Sequence, residues 1–288
     1  MFSYFTDGGK DGLHLAYSLD GYSWRALNDN RSFLLPEVSK DSLMRDPCII
    51  QGPDKKFHMV WTVSWNERGI GYASSRDLIH WSEQKYIPVM EHEPLARNCW
   101  APELYYDVQK DTYMIYWATT IPGRFPETDS TGDKGYNHRI YYTTTKDFEV
   151  FSETRLLFDP RFNVIDAVIK KIKDEYVMFV KDETRYPPQK NIRIAKSQKL
   201  TGGYEIKGDK ITIDWVEGPT VIQVGDAWVV YYDEYTRHKM GAVRSHDLIE
   251  WEDISDQISF PEGCRHGTIF RVERKILDRL LKNQNLGG

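Results

Sequence analysis

Cysteine is scarce: the 288 residues hold three, Cys48, Cys99 and Cys264, with no C-x-x-C spacing. An odd, widely spaced set makes neither a disulfide framework nor a thiolate metal site. Each is read as a small buried residue. Basic blocks are missing as well. The 38 Lys and Arg are mixed among 43 Asp and Glu, for a net charge of -5. That lacks the electrostatic footprint of a nucleic-acid binder, so no nucleic-acid partner is expected. No apolar run is long enough to span a bilayer, and no membrane partner is expected. No secretory leader precedes the strand-like stretch Met1 to Phe5. The expected compartment is the cytoplasm if the chain is full length, and the periplasm or exterior if a signal peptide was trimmed.

Aromatic residues are plentiful, at 14%, with nine Trp and eighteen Tyr. They fall in short apolar runs rich in β-branched neighbours, a strand signature. Five such runs stand out: Met1 to Phe5, Phe57 to Trp61, Tyr113 to Trp117, Tyr176 to Val180 and Trp228 to Tyr232.

These runs belong to a repeat of about fifty to seventy residues. Its clearest phrase is Ser-x-Asp-Leu-x-x-Trp, as in Ser75-Arg76-Asp77-Leu78-Ile79-His80-Trp81 and Ser245 to Trp251. Variants occur at Ser18 to Trp24, Thr145 to Phe151 and, without the Asp, from Ser197. Ser and Asp suit a turn, because their side chains bond nearby backbone groups. A second phrase opens each unit with an acidic or polar residue before a buried strand. It reads Arg45-Asp46-Pro47, Trp100-Ala101-Pro102-Glu103, Val164-Ile165-Asp166, Val216-Glu217-Gly218-Pro219 and Arg265-His266-Gly267.

The last opening phrase has no strands after it, whereas the N-terminus has strands without an opening phrase. The two ends must therefore share one unit. The expected fold is all-β, a five-bladed β-propeller whose last blade closes N-terminal strands with a C-terminal one. The blades are placed at 44–85, 98–155, 162–208, 213–256, and 262–272 with 1–27. Residues 1–273 form the expected catalytic domain. The tail 274–288 carries Ile276, Leu277, Leu280 and Leu281 at helical spacing, and a short helix is expected there.

First strands of propeller blades line the central channel. Asp46, Glu103, Asp166, Glu217 and His266 are thus expected at equivalent places around one mouth. Two insertions, 121–138 and 181–190, should overhang that mouth. Facing carboxylates suit glycosidic cleavage, in which one protonates the leaving oxygen and another activates water, about 6.5–9.5 Å apart in inverting enzymes.

Taken in order, the five opening phrases resemble glycoside hydrolase family 43. Its members are five-bladed propellers that invert configuration. They act mainly as α-L-arabinofuranosidases and β-xylosidases, with arabinanases, xylanases and exo-β-1,3-galactanases among the rest. The resemblance implies Asp46 as general base, Asp166 as the residue that tunes and orients the acid, and Glu217 as general acid. His266 matches a histidine that faces an ion or water cluster in the channel, so a calcium or monovalent ion is a candidate there, with no cofactor required. The chain departs from the family where the Trp-Ala-Pro phrase ends in Glu103 rather than Asp, and where Arg45 precedes Asp46. Candidate substrate-binding residues are Arg45, Trp100, Glu103, Phe125, Tyr136, Arg185 and Arg265, with Trp65, Arg124, Asn137 and His138 also near the expected mouth.

The implied activity is exo-acting removal of a terminal pentose from plant-type polysaccharide, with a carbohydrate as the partner. The alternatives are an exo-β-1,3-galactanase-like enzyme, a non-catalytic carbohydrate-binding propeller, and a phosphorylase or fructan hydrolase. The oligomeric state is left open.

Overall fold

A computed structural model describes residues 1–284; the expected tail extends beyond these, to 288. Five four-stranded antiparallel sheets follow one another around an axis. The first blade comprises Arg45–Gln51, Phe57–Thr62, Ile70–Ser75 and Lys85–Ile87. The second comprises Trp100–Asp107, Thr112–Thr120, His138–Thr145 and Arg155–Phe158. The third comprises Val164–Ile172, Glu175–Asp182, Asn191–Ser197 and Glu205–Lys207. The fourth comprises Glu217–Val224, Ala227–Glu234, Lys239–Ser245 and Glu252–Asp253. The fifth joins Thr268–Ile269 to Phe2–Tyr4, His14–Tyr17 and Arg25–Ala26. Phe2 pairs with Ile269 and Ser3 with Thr268, so the ring closes through both ends of the chain, as expected.

The Ser-x-Asp phrase makes the same turn at its four full copies. Asp77 Oδ1 accepts from the amides of Ile79 and His80, and Ser75 Oγ accepts from those of Asp77 and Leu78. Asp20, Asp147 and Asp247 accept from the matching pairs of amides. These turns satisfy backbone donors that the third strand leaves behind, and they aim the chain into the fourth strand.

The opening phrases form β-bulges. In the first blade Arg45 pairs with Thr62 and Cys48 with Val60, so three steps on one strand face two on the other. The same offset occurs between Trp100 and Glu103, Ile165 and Val168, and Glu217 and Thr220. The first bulged residue is left-handed each time: Asp46 (φ 52), Ala101 (φ 46), Asp166 (φ 54) and Gly218 (φ 58). The next is Pro47, Pro102, Ala167 or Pro219. A bulge is where a proline, lacking an amide hydrogen, fits an inner strand.

The bulges correct the expected equivalence. Asp46, Ala101, Asp166 and Gly218 are matched. Glu217 lies one residue earlier, matched with Arg45, Trp100 and Ile165. Glu103 lies beyond its bulge, matched with Cys48, Val168 and Thr220. In the fifth blade the Arg265 amide donates to Phe5 O while Thr268 pairs with Ser3. His266 is therefore matched with Asp46.

The C-terminal segment Arg274–Gln284 is an α-helix. Ile276, Leu277 and Leu280 are buried in one cluster with Leu13, Leu15, Leu27 and Phe270. Burying each side chain stabilises the fold by roughly 1.5–3 kcal/mol. The same cluster holds Ile49, Phe57 and Trp61, so the helix packs against both the first and the fifth blade. All three cysteines are buried and free.

Candidate active site

Side chains from all five blades meet in one pocket of about 110 Å³. Arg45, Asp46, Trp100, Asp166, Glu217 and His266 line it, together with Thr62, Trp65, Ile165, Lys181 and Glu183.

Asp46 sits between two partners. His266 Nδ1 lies 3.2 Å from Oδ1, and Thr62 Oγ1 donates to Oδ2 at 2.9 Å. Burial opposes ionisation, but the charge and hydrogen bond of His266, then Arg45 and Thr62, outweigh it and hold Asp46 at about 2. His266 responds in the opposite sense. Burial disfavours its cation, yet Asp166, Asp46 and Glu217 lift it to about 9. The histidine serves here as a cation paired to Asp46. Among the described residues no group of three or more His, Cys, Asp or Glu is arranged to hold a metal ion.

Asp166 acts on the same imidazole through its charge. Its Oδ2 accepts the Gly218 amide at 3.0 Å, which ties it to the turn that presents Glu217. Burial raises it to about 6, with Glu217 and Asp46 adding to the rise against His266 and Lys181. Gly218 is required at this point. A Cβ there would come 2.3 Å from the His266 ring, and the backbone is left-handed besides.

Glu217 carries a cation on each oxygen. Lys181 Nζ is 3.2 Å from Oε2, and Arg265 Nη2 is 3.2 Å from Oε1. Both cations are anchored from behind. Lys181, buried, also meets Glu183 Oε2 at 2.6 Å, and Glu183 pairs in turn with Lys190. Arg265 Nε meets Asp233 Oδ2 at 2.5 Å. Asp233 is the cross-strand partner of Glu217, and burial plus the Glu217 charge lift it to about 6.

Lys181, Glu183 and Asp233 are absent from the sequence-derived set. Their signal is faint: each follows an apolar second strand, where its charge passes for the start of a surface loop. The strands run on through Lys181–Asp182 and Asp233–Glu234 to the mouth.

The other candidates divide. Trp100 lies edge-on to Trp65 at 5.7 Å and donates Nε1 to Trp65 O at 3.2 Å. Tyr136 packs on Trp100 at 4.6 Å. Arg185 stacks on Trp215 at 4.8 Å, beside the mouth, and its amide donates to Thr131 O, joining the two overhanging loops. Phe125 does not join them: it covers the buried Arg139 guanidinium at 4.3 Å. Arg124 pairs with Glu93, Asn137 bonds within its own loop, and His138 is buried and held down at about 4 by burial. Glu103 lies deeper in the channel than the mouth. It accepts from Thr268 Oγ1 at 2.7 Å and from Cys48 at 3.3 Å, and burial raises it above the usual carboxylate range.

A five-bladed propeller with carboxylates and their cations gathered at one mouth defines a class, the propeller glycoside hydrolases. The chain belongs to the family described as "Probable glycosyl hydrolase domain", related to glycoside hydrolase family 43, whose model matches residues 1–278. An α-L-arabinofuranosidase of Bifidobacterium longum subsp. longum is 23% identical over 185 residues, covering 57% of this chain and 17% of that protein. The chain thus matches only a minor part of that relative's length. The crystal structure of an α-L-arabinofuranosidase from Lactobacillus brevis superposes with a TM-score of 0.53 at 19% identity, covering 74% of this chain and 72% of the other. That of a xylan β-1,4-xylosidase from Bacillus halodurans C-125 gives 0.59 at 16% identity, covering 83% and 48%. At these identities the superpositions bear on the fold.

Proposed function

We propose that the protein is an inverting, exo-acting glycosidase that releases a terminal α-L-arabinofuranose or β-D-xylose. The observation that carries this reading is the split among the mouth carboxylates. Asp46 is held ionised at about 2, whereas Asp166 and Asp233, flanking Glu217, are lifted to about 6. One side of the pocket therefore offers a base for water, and the other holds carboxyls that keep a proton up to about pH 6. An inverting displacement needs that asymmetry.

In this reading Asp46 takes a proton from the attacking water, and Glu217 gives one to the leaving oxygen. Asp166, bonded to the Gly218 amide, fixes the turn that carries Glu217 and keeps negative charge beside it. Lys181 and Arg265 stabilise the Glu217 carboxylate once it has given up its proton, before solvent returns one. The exo mode follows from the enclosure. The loops 121–137 and 183–190 are joined by backbone bonds from Arg185 and Tyr186 to Thr131 O, which walls one side of the mouth. A volume of about 110 Å³ suits the reacting part of one sugar ring rather than a chain. The arabinofuranosidase and xylosidase named above support a pentose.

The test is a panel of 4-nitrophenyl glycosides and arabinoxylan, arabinan and arabinogalactan oligosaccharides, with anomeric configuration followed by NMR. Release of single pentoses with inverted configuration is expected, and Glu217→Ala should abolish it while the fold persists. Retained configuration, or undiminished turnover in Glu217→Ala, would overturn the assignment. Binding without any hydrolysis product on long incubation would favour a carbohydrate-binding propeller.

A further inference from the structure

Of the cations that line this pocket, Arg45 alone has no carboxylate partner among the described residues. Lys181 is paired to Glu183 and Glu217, Arg265 to Asp233 and Glu217, and His266 to Asp46. Arg45 makes no ion pair within 4.0 Å among the described residues. Its one hydrogen bond is a long contact, 3.4 Å, from Nη1 to Gly8 O. Asp46, the next residue, is turned away toward His266 and Thr62.

The guanidinium is nevertheless firmly placed. Its carbon lies 4.6 Å from the centre of the Phe5 ring and 4.4 Å from that of Trp65. Gly9, where a Cβ would come 2.6 Å from Arg45 Cγ, leaves room for its stem. The two rings hold the guanidinium carbon in place, and of its five N–H donors only one is engaged among the described residues, in the long contact to Gly8 O. Arg45 acts on Asp46 through its charge but is not bonded to it, and its planar fork of donors suits an oxyanion such as a carboxylate. Beside it Trp65 is 45% exposed, held by Trp100 Nε1, and offers a flat face for a sugar ring.

We propose that this mouth takes a saccharide bearing a carboxylate, that is, one containing a uronic acid, and that Arg45 pairs with that carboxylate while a sugar ring rests on Trp65. The proposal rests on the reading of the mouth as a carbohydrate site. It does not depend on the role given to Glu217.

The test therefore measures binding. Titration calorimetry of the full chain uses a xylo-oligosaccharide carrying one glucuronic acid and an arabinogalactan fragment carrying one glucuronic acid, each against its own methyl ester. The ester keeps shape and removes charge. At least one acid should bind roughly tenfold or more tightly than its ester, by an amount that shrinks with added salt. Arg45→Gln should bring acid and ester together, and Arg45→Lys should retain part of the difference, with Tm reporting that each variant folds. Equal affinity of acid and ester for the wild type overturns the proposal, as does no binding of either acid, and neither result requires a variant. A preference that survives Arg45→Gln also overturns it. A sulfated neutral oligosaccharide forms a further arm: Arg45-dependent binding of the sulfate ester without binding of the uronates assigns the site to sulfate and overturns the carboxylate. A wild type that cleaves neutral pentosides but shows no preference for acid over ester refutes this inference and leaves the hydrolase reading standing.

Discussion

Asp46 and His266 come from the first and fifth blades and meet at 3.2 Å, each holding the other in its charged form. Removing one partner should be visible on the other. In Asp46→Asn the His266 pKa should fall from about 9 by roughly one unit or more. An NMR titration of the imidazole measures this. A change below about half a unit would mean that Asp166 and Glu217 hold the cation without Asp46.

The same pair sets a pH dependence of stability. His266 is raised from 6.5 to about 9, so its share is full below pH 6.5 and is lost as pH rises through 9. Asp46 is lowered from 3.8 to about 2, so its share is present above pH 3.8 and is lost as pH falls through 2. Denaturant unfolding across pH should show the alkaline loss in the wild type and a weaker one in Asp46→Asn. Identical alkaline slopes would count against the pair.

Gly218→Ala places a methyl group against the His266 ring and a side chain at φ 58. Strain and overpacking together should cost about 1–3 kcal/mol. Turnover should drop further than stability explains, because the ring that must move holds Asp46. Urea unfolding together with kcat on an aryl pentoside checks both. Wild-type values for the two would show that the turn relaxes without disturbing His266.

Lys181→Met should lower kcat about tenfold or more with little change in KM, and should displace the pH profile, because a charge 3.2 Å from Glu217 is lost. Lys181→Arg should recover part of kcat. A Tm drop with an unmoved pH profile in the surviving activity would reduce Lys181 to a structural role.

Glu103→Gln keeps an acceptor for Thr268 and removes a buried ionisable group. Turnover per folded molecule should stay within about threefold of wild type, in contrast to Glu217→Ala. A loss like that of Glu217→Ala would return Glu103 to the mouth.

Much of this architecture was legible from residue order. The turn phrases around Asp20, Asp77, Asp147 and Asp247 are local chemistry, so their meaning survives without coordinates. Ring closure followed from an opening phrase at Arg265 with no strand-like run after it. The register inside the bulges was not legible. Glu103 and Glu217 stand at the same kind of motif, but one lies before its bulge and the other beyond, which separates mouth from channel interior. Lys181 and Asp233 were hidden for another reason. Their roles arise from contacts between neighbouring blades, and nothing near them in sequence records those contacts.

The seam between Thr268–Ile269 and Phe2–Tyr4 also sets the order of assembly. Arg265 and His266 reach the mouth only when that seam forms, because they stand immediately before its C-terminal strand. A growing chain carries Asp46, Asp166 and Glu217 long before it carries the cations that pair with two of them. The seam joins the most distant residues along the chain, such as Met1 and Phe270, so it carries the largest loop-closure cost and comes late in folding. Catalytic competence should then appear as a single late event during refolding, a reporter of the moment the circle shuts.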